Sequence, residues 1–550
     1  MKKTFKIFLA AVGLLMATSC ELDLLDNPNE VSTEQGDPDF VLNSVQLNFA
    51  DFFVAMSQFG MDNTRMLAMF GNNYPNAYQA TTFDGVWTTA YANILNDVQY
   101  LEQVQEERGT FEYHAAMAKV FRAYTLMSMV DYFGDVPFTE TLDPNNFNPK
   151  ADPASGVYQA AFNDLSDAIE LIENADETTV VPETDLYYEF EDEVSDWSVK
   201  WLKLAKTLQL RYHLQTRLIN AAASTTAINN LIAEGNLIDS DDEAFLFNYS
   251  SASIAAPDSR HPWFSANYVN GAGQYMSNSY INHMFVGKAG TRDPRIRHYF
   301  YRQTLAIPTD VNVLDCIEQT KPAHYGANDV FCFVGQGYWG RDHLDDDGIP
   351  PDNLLRTIYG LYPAGGQWDD SQGERGTQDS GAKGSGMLPI MLPSFVLFMR
   401  AEAALTLGTT GVPRTLFEQA VRSSIGFVRS YNTDFIPLTS TRFPNTTAVD
   451  AFVTGVMTDY DAQTTDAGRL NAIVTEYWIA LWGNGVDMYN TYRRTGMPTT
   501  LQPALNATPG AFYRSFTYPS VYVNRNNTAV QKTTPAVKVF WDNNPDGFID

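Results

Sequence analysis

Two stretches of this sequence gather residue types capable of binding or reaction. Gly335-Gln336-Gly337-Tyr338-Trp339-Gly340 spells the spacing of a dinucleotide loop after a possible strand, Val330 to Val334. That loop works only when a helix opens directly behind the glycines, so that its positive end meets pyrophosphate. Here Arg341, Asp342 and His343 follow, then Asp345, Asp346 and Asp347, an acidic run that repels phosphate. The glycines are therefore expected to make sharp turns. The run DHLDDDGIPPD sets hard oxygen ligands at Asp345 and Asp347 ahead of Gly348, half of a calcium-loop pattern. His343 stands where that pattern has Asp, and no Glu falls at its twelfth position. The run reads either as a solvated acidic turn or as a structural calcium site; no other cofactor is expected.

Motifs for catalysis are missing. The sequence holds no H-E-x-x-H, C-x-x-C or G-x-S-x-G, and His114, His213, His261, His283, His298, His324 and His343 show no metal-ligand spacing. A glycosidase needs only two well-placed carboxylates, which 65 acidic residues neither support nor exclude. The expectation is a binding protein rather than an enzyme. Rings on loops can stack on sugar faces or grip extended peptides, with Asn, Gln and Arg supplying hydrogen bonds. On that ground the candidate ligand residues are Asn73, Tyr74, Tyr78, Trp263, Tyr268, Tyr275, Trp339 and Trp368.

These residues must be positioned by a chain of 550 residues, 44% hydrophobic and 18% charged, long enough for two packed lobes or one large elaborated domain. Its net charge of −29 leaves no electrostatic footing on nucleic acid or anionic lipid. Lys2, Lys3 and Lys6 precede an apolar stretch, Ile7 to Ala17, far short of the ~20 residues of a membrane span. Small residues Ala17, Thr18 and Ser19 lead into Cys20, so residues 1–19 resemble a bacterial lipoprotein signal, with Cys20 the lipidated residue. The tether that follows, 20–38, carries Glu21, Asp23 and Asp26, as in the acidic tags that direct some Gram-negative lipoproteins to the outer surface. The remaining thiols, Cys316 and Cys332, are expected to pair in an oxidising compartment.

Apolar residues recur at helical spacing on both sides of a long irregular stretch. Phe40, Val45, Phe49, Phe52 and Phe53 make one stripe, and Trp201, Ala205, Leu208 and Tyr212 another. The most regular runs from Leu470 through Ile473, Val474, Tyr477 and Trp478 to Trp482. Between about Glu243 and Leu388 this period gives way to Gly, Pro, Asn, Tyr and Trp, the composition of loops and short strands that tend to be functional. The expected fold is mostly α: a helical-repeat scaffold, without the strict self-similarity of a tetratricopeptide array, carrying a loop-rich insertion with short strands. Expected boundaries are a helical N-terminal region at 39–242, the ligand-binding insertion at 243–388, and a C-terminal helical region and tail at 389–550.

The run Gly483-Asn484-Gly485-Val486-Asp487-Met488-Tyr489-Asn490-Thr491-Tyr492-Arg493-Arg494-Thr495-Gly496-Met497-Pro498 resembles the signature of SusD/RagB-like nutrient-binding lipoproteins. Phe83-Asp84-Gly85, the DYFGDVPF ending of Ala118–Pro137, Trp201 with Ala205, Leu208 and Arg211, and Ala401-Glu402-Ala403 are similar to the same family, and GRDHLDDDGIPPD to one of its subgroups. Glu476-Tyr477-Trp478 departs from the common Gln-Lys-Trp, which bears on local surface contacts. Arg493 and Arg494 are expected to be structural, capping their helix and pairing with neighbouring acids. The resemblance implies a mostly α fold with a tetratricopeptide-like helical scaffold, held as a surface lid over a SusC-like TonB-dependent barrel transporter and taking oligosaccharides or oligopeptides as cargo. The rival expectations are a surface glycan hydrolase and a non-transport envelope or adhesion protein.

Overall fold

The computed structural model describes residues 36–143, 145–188, 190, 194–253, 258–271, 273–346 and 355–549. The signal, Cys20 and most of the acidic tether lie outside the described residues. Helix α1 (Pro38–Asn63) starts where Asp37 accepts a hydrogen bond from the Asp39 amide and Pro38 fixes the first turn. It buries Leu42, Val45, Phe49, Phe52, Phe53 and Met56, whereas Phe40, expected in the same stripe, is 74% exposed. Next come α2 (Asn96–Arg108), closed by Gly109 in the left-handed conformation, and α3 (Glu112–Phe133), buried around most of its girth.

Helix α4 (Ala154–Asn174) packs along α3 with Val157, Tyr158, Ala161, Leu165 and Ala168, and α5 (Val194–Gln215) adds Trp197, Trp201, Leu204 and Leu208. Helix α6 (Ala221–Glu234) completes the N-terminal set. Later, α7 (Asn278–Val286) lies among loops, and the C-terminal set follows: α8 (Pro393–Leu407), α9 (Pro413–Ser430), α10 (Thr446–Asp461), α11 (Asp466–Ala480) and α12 (Gly485–Thr495). The architecture is the mostly helical, tetratricopeptide-like scaffold expected. Short antiparallel pairs punctuate it: β1 (Val136–Pro137) with β2 (Ala151–Asp152), β3 (Phe245–Asn248) with β6 (Met387–Met391), and β4 (Phe300–Tyr301) with β5 (Ile358–Tyr359).

The β3–β6 pair joins the two ends of the loop-rich segment, Leu246 facing Pro389 and Asn248 facing Met387. The segment does not form a separate lobe. Tyr268, Tyr280, Tyr299 and Tyr359 belong to the same continuous core as Phe49, Tyr124 and Trp478. Two satellite cores lie inside it, one around Cys316, Cys332 and Trp339, the other around Leu361 and Trp368. A disulfide joins Cys316 to Cys332.

The sequence signature meets in one buried hub. Asp131 of α3 accepts from Asn490 Nδ2 (2.6 Å) and Trp541 Nε1 (2.8 Å), and Arg211 of α5 donates to Asp487 (2.5 Å). Arg494 is bidentate to Glu402 at 2.8 Å on both branches, and Arg217 joins the same carboxylate at 3.0 Å. Burial alone would raise the Glu402 carboxyl, but Arg494 and Arg217 hold it below the usual range. Arg493 donates to the carbonyls of Asp131 and Arg514. It therefore caps the last turn of α3 rather than its own helix. Glu476 is also no surface residue: it is buried and takes Arg295 Nη2 at 3.1 Å.

Where α1 crosses α12 the two backbones touch. A Cβ on Gly60 would stand 2.0 Å from the Gly485 carbonyl oxygen, and one on Gly485 would stand 1.9 Å from that of Ser57. Only glycine fits at either position.

Candidate ligand-binding surface

Segments distant in sequence converge at the C-terminal end of α1. The chain leaves the helix through Arg65, in the left-handed region at φ 56°. The buried Arg65 guanidinium donates to the carbonyls of Gln502 (3.1 Å) and Asn63 (2.8 Å) and to the Tyr74 hydroxyl (3.1 Å). The same hydroxyl shares a hydrogen bond with His343 Nε2, 3.1 Å away. Burial, with Arg65 adding to it, holds the His343 imidazole far below its ordinary range, which keeps it neutral.

Residues 340–343 are an anchor built around this contact. A Cβ on Gly340 would meet the Met276 carbonyl oxygen at 1.9 Å. Arg341 pairs with Asp315 at 3.0 Å, and Asp342 accepts from the Cys332 amide (2.7 Å), Gln502 Nε2 (2.7 Å) and Asn278 Nδ2 (3.1 Å). Four segments, 65–74, 276–278, 332–343 and 502–513, are thereby fixed to one another. Gly335, Gln336 and Gly337 all adopt positive φ and no helix follows, so the glycine spacing serves a turn.

The structure corrects the expectation placed on the rings. Trp263 stacks on Tyr359 at 5.1 Å, Tyr268 stacks on Phe264 at 4.6 Å, and Tyr275 lies under Arg356 at 4.5 Å. Trp339 and Trp368 fill the satellite cores, and Tyr74 is 1% exposed. These six rings are packing groups with no face left for a ligand. Asn73 caps a short helical turn by accepting from the Asn76 amide at 3.0 Å. Tyr78 is half-buried and donates to Asp62 Oδ2 at 2.8 Å. Burial pushes the Asp62 carboxyl up to about 7, the Tyr78 hydrogen bond opposing it.

Phe70, which sequence reasoning passed over, is half-buried at the edge of this anchor, 5.7 Å from the Tyr275 ring. Its signal was its place just before Gly71, where the chain turns outward ahead of the exposed Asn72. Gln274, half-buried, donates to Gln58 Oε1 at 2.7 Å while its own side-chain Oε1 is buried with no hydrogen-bond partner among the described residues. The surface thus offers rings and amides on a rigid base. Asp345 is buried with a carboxylate oxygen 3.8 Å from Arg341 Nη1, and Asp347 lies outside the described residues. Among the described residues, no three His, Cys, Asp or Glu side chains converge to hold a metal.

Residues 28–319, more than half the chain, match the SusD-like family described as "Starch-binding associating with outer membrane". The chain belongs to the SusD-like family. Residues 371–543 match a second SusD-like description, "Susd and RagB outer membrane lipoprotein". Solved SusD-like structures share the fold. A SusD/RagB family protein from Bacteroides thetaiotaomicron, 18% identical, superposes with a TM-score of 0.66 over 93% of this chain and 100% of that one. A chitin-binding SusD homologue from Flavobacterium johnsoniae, 17% identical, gives 0.62 over 92% and 98%. A SusD homologue from Bacteroides uniformis, 17% identical, gives 0.65 over 92% and 99%. No curated protein matches the sequence. No helix among the described residues is long and apolar enough to cross a membrane.

Proposed function

We propose that this SusD-like chain is an outer-membrane lipoprotein, anchored through Cys20, that captures oligosaccharides and passes them, as a lid, to a SusC-like TonB-dependent barrel. The observation that carries this reading is the surface around Phe70, Asn72, Asn73, Tyr78 and Gln274. Rings and amides stand there on a base cross-braced by Arg65, Asp342 and His343. Pre-set rings stack on sugar faces and amides bond sugar hydroxyls without ordering a loop on binding. Chitin binding by a relative of the same fold supports a glycan over a peptide as cargo. Binding without catalysis fits the buried groups: the Asp62 carboxyl is engaged by Tyr78, and the His343 imidazole by Tyr74.

The test is a glycan panel on the folded, unlipidated protein, scoring both retention and product release. Intact retention of at least one glycan is expected. Phe70→Ala and Gln274→Ala should each weaken it about ten-fold, as loss of one stacking or hydrogen-bonding anchor would, with little change in melting temperature. Release of shortened product, or retention unchanged in both variants, would overturn the reading. Purification from membranes should bring the barrel partner with it.

A further inference from the structure

A second cleft, of about 210 Å³, lies between the turn at 291–297 and the start of α10. Arg292, Arg297 and Arg442 line it against one carboxylate, Asp293. That carboxylate is already committed: Oδ1 accepts from the Arg295 amide (2.8 Å) and Nε (2.9 Å), and Oδ2 from Arg295 Nη2 (2.6 Å). Among the described residues Arg292 hydrogen-bonds only a neutral amide, Gln336 Oε1 at 2.8 Å, and it lies 4.0 Å over the Phe285 ring. Arg297 donates to the Asp369 carbonyl (2.7 Å) and Ser371 Oγ (2.9 Å). The Asp369 carboxylate, 3.8 Å from Arg297, is held more closely by Arg302, at 2.6 and 3.2 Å. The exposed Arg442 guanidinium has no hydrogen bond or ion pair among the described residues. Helix α10 points its positive end at the same place, with Asn445 as its cap.

With Arg295 shared between Asp293 and Glu476, and Arg297 and Arg302 sharing Asp369, the arginines here still outnumber the acids, and a net positive cleft in a −29 chain is a binding feature rather than a solvated face. The size decides the ligand: about 210 Å³ is below the ~300 Å³ at which drug-sized pockets begin, so it takes one small group. Pro294, Phe443 and Pro444 add an apolar wall beside the arginines, the combination that suits a sugar ring bearing an anion. We infer that this cleft is a subsite for an acidic sugar residue, its carboxylate or sulfate held by Arg442, Arg292 and Arg297. The inference rests on the reading of the chain as a glycan-capture protein and names the chemical class of one ligand unit.

The folded, unlipidated chain is titrated with D-glucuronate, D-glucose and inorganic sulfate, following backbone amide resonances. Glucuronate should shift residues 291–297 and 441–448, weaken as salt rises, and lose about ten-fold in affinity in Arg442→Gln and in Arg292→Gln. Arg525→Gln, the loss of an exposed arginine elsewhere, should leave it unchanged. Glucose binding the cleft as tightly as glucuronate would overturn the inference. So would sulfate matching glucuronate in affinity, which would mark an adventitious ion only, or no shift at these residues. Failure of the glycan panel with glucuronate still bound here would sink the capture reading and leave this cleft standing.

Discussion

Buried arginines in the helical scaffold are tied mainly to carboxylates, whereas those in and beside the loop-rich region divide between carboxylates and backbone carbonyls. In the helical scaffold they pair with carboxylates: Arg211 with Asp487, Arg494 and Arg217 with Glu402, Arg122 with Asp164 and Glu102. In the loop-rich region Arg295, Arg302 and Arg341 also meet acids, at Asp293 and Glu476, at Asp369 and at Asp315, but other buried arginines there and at its border serve backbone carbonyls and rings. Arg65 takes Gln502 and Asn63, Arg356 takes Gly271 and Gly273, and both lie over aromatic faces. The cause lies in the main chain. A helix satisfies its own carbonyls, so a guanidinium buried among helices must find an acid, whereas loops leave carbonyls open that a buried arginine can satisfy. Arg493 obeys the rule from inside the scaffold, because the carbonyl it takes belongs to the last turn of α3, where no amide remains to bond it.

The contrast is most exposed to failure at Glu402. Glu402→Gln leaves Arg494 and Arg217 sharing a neutral partner in the core, and should cost about 3–5 kcal/mol of unfolding free energy, read from urea denaturation. A cost as small as that of a loop arginine would break the distinction. Opening the disulfide with Cys316→Ser and Cys332→Ser should cost about 3 kcal/mol, with faster amide exchange confined to the loop-rich region. Arg65→Met strips neutral acceptors of a donor rather than stranding a charge, so about 2 kcal/mol is expected, together with faster exchange over residues 66–79.

A pH-dependent effect sharpens the picture at the junction of the two regions. The Asp62 carboxyl has a pKa of about 7 in the folded chain, against 3.8 ordinarily. Its stabilising contribution is therefore complete below about pH 3.8 and disappears as pH rises through 7. Asp62→Asn cannot ionise and keeps an acceptor for Tyr78, so at pH 8, where the parent has lost the Asp62 contribution, it should be the more stable of the two. Near pH 4 the two should melt together.

Much of the scaffold was legible in the sequence because helical burial writes itself locally, as Trp201, Ala205 and Leu208 repeat at the turn of a helix. The signature around Asp487 was legible too, and its residues are the hub that joins α3, α5, α8 and α12. The binding surface was legible only in outline. Loop composition reports that Trp263, Trp339 and Trp368 lie outside regular helices, yet it carries no information on depth, and the segment folds back onto the scaffold so that these rings become core. Arg65 was invisible for a related reason: its acceptor on Gln502 lies 437 residues away, and no local period encodes such a pairing. Glu476 looked like a surface variation because its partner, Arg295, comes from the irregular segment.

The glycine crossing of α1 and α12 bears on how the chain is made. Helix α1 is synthesised first, yet its final turns have no seat until Gly485 arrives, and the Thr64 carbonyl just beyond them waits for the indole of Trp478, 414 residues later. A nascent polypeptide halted before that point could cover Phe49 and Phe53 with Phe121 and Tyr124, but the last turns of its first helix would still lack their seat. Assembly is thus an end-to-end event completed only after the ribosome has delivered nearly everything, which makes the newborn protein a natural client for a holding chaperone.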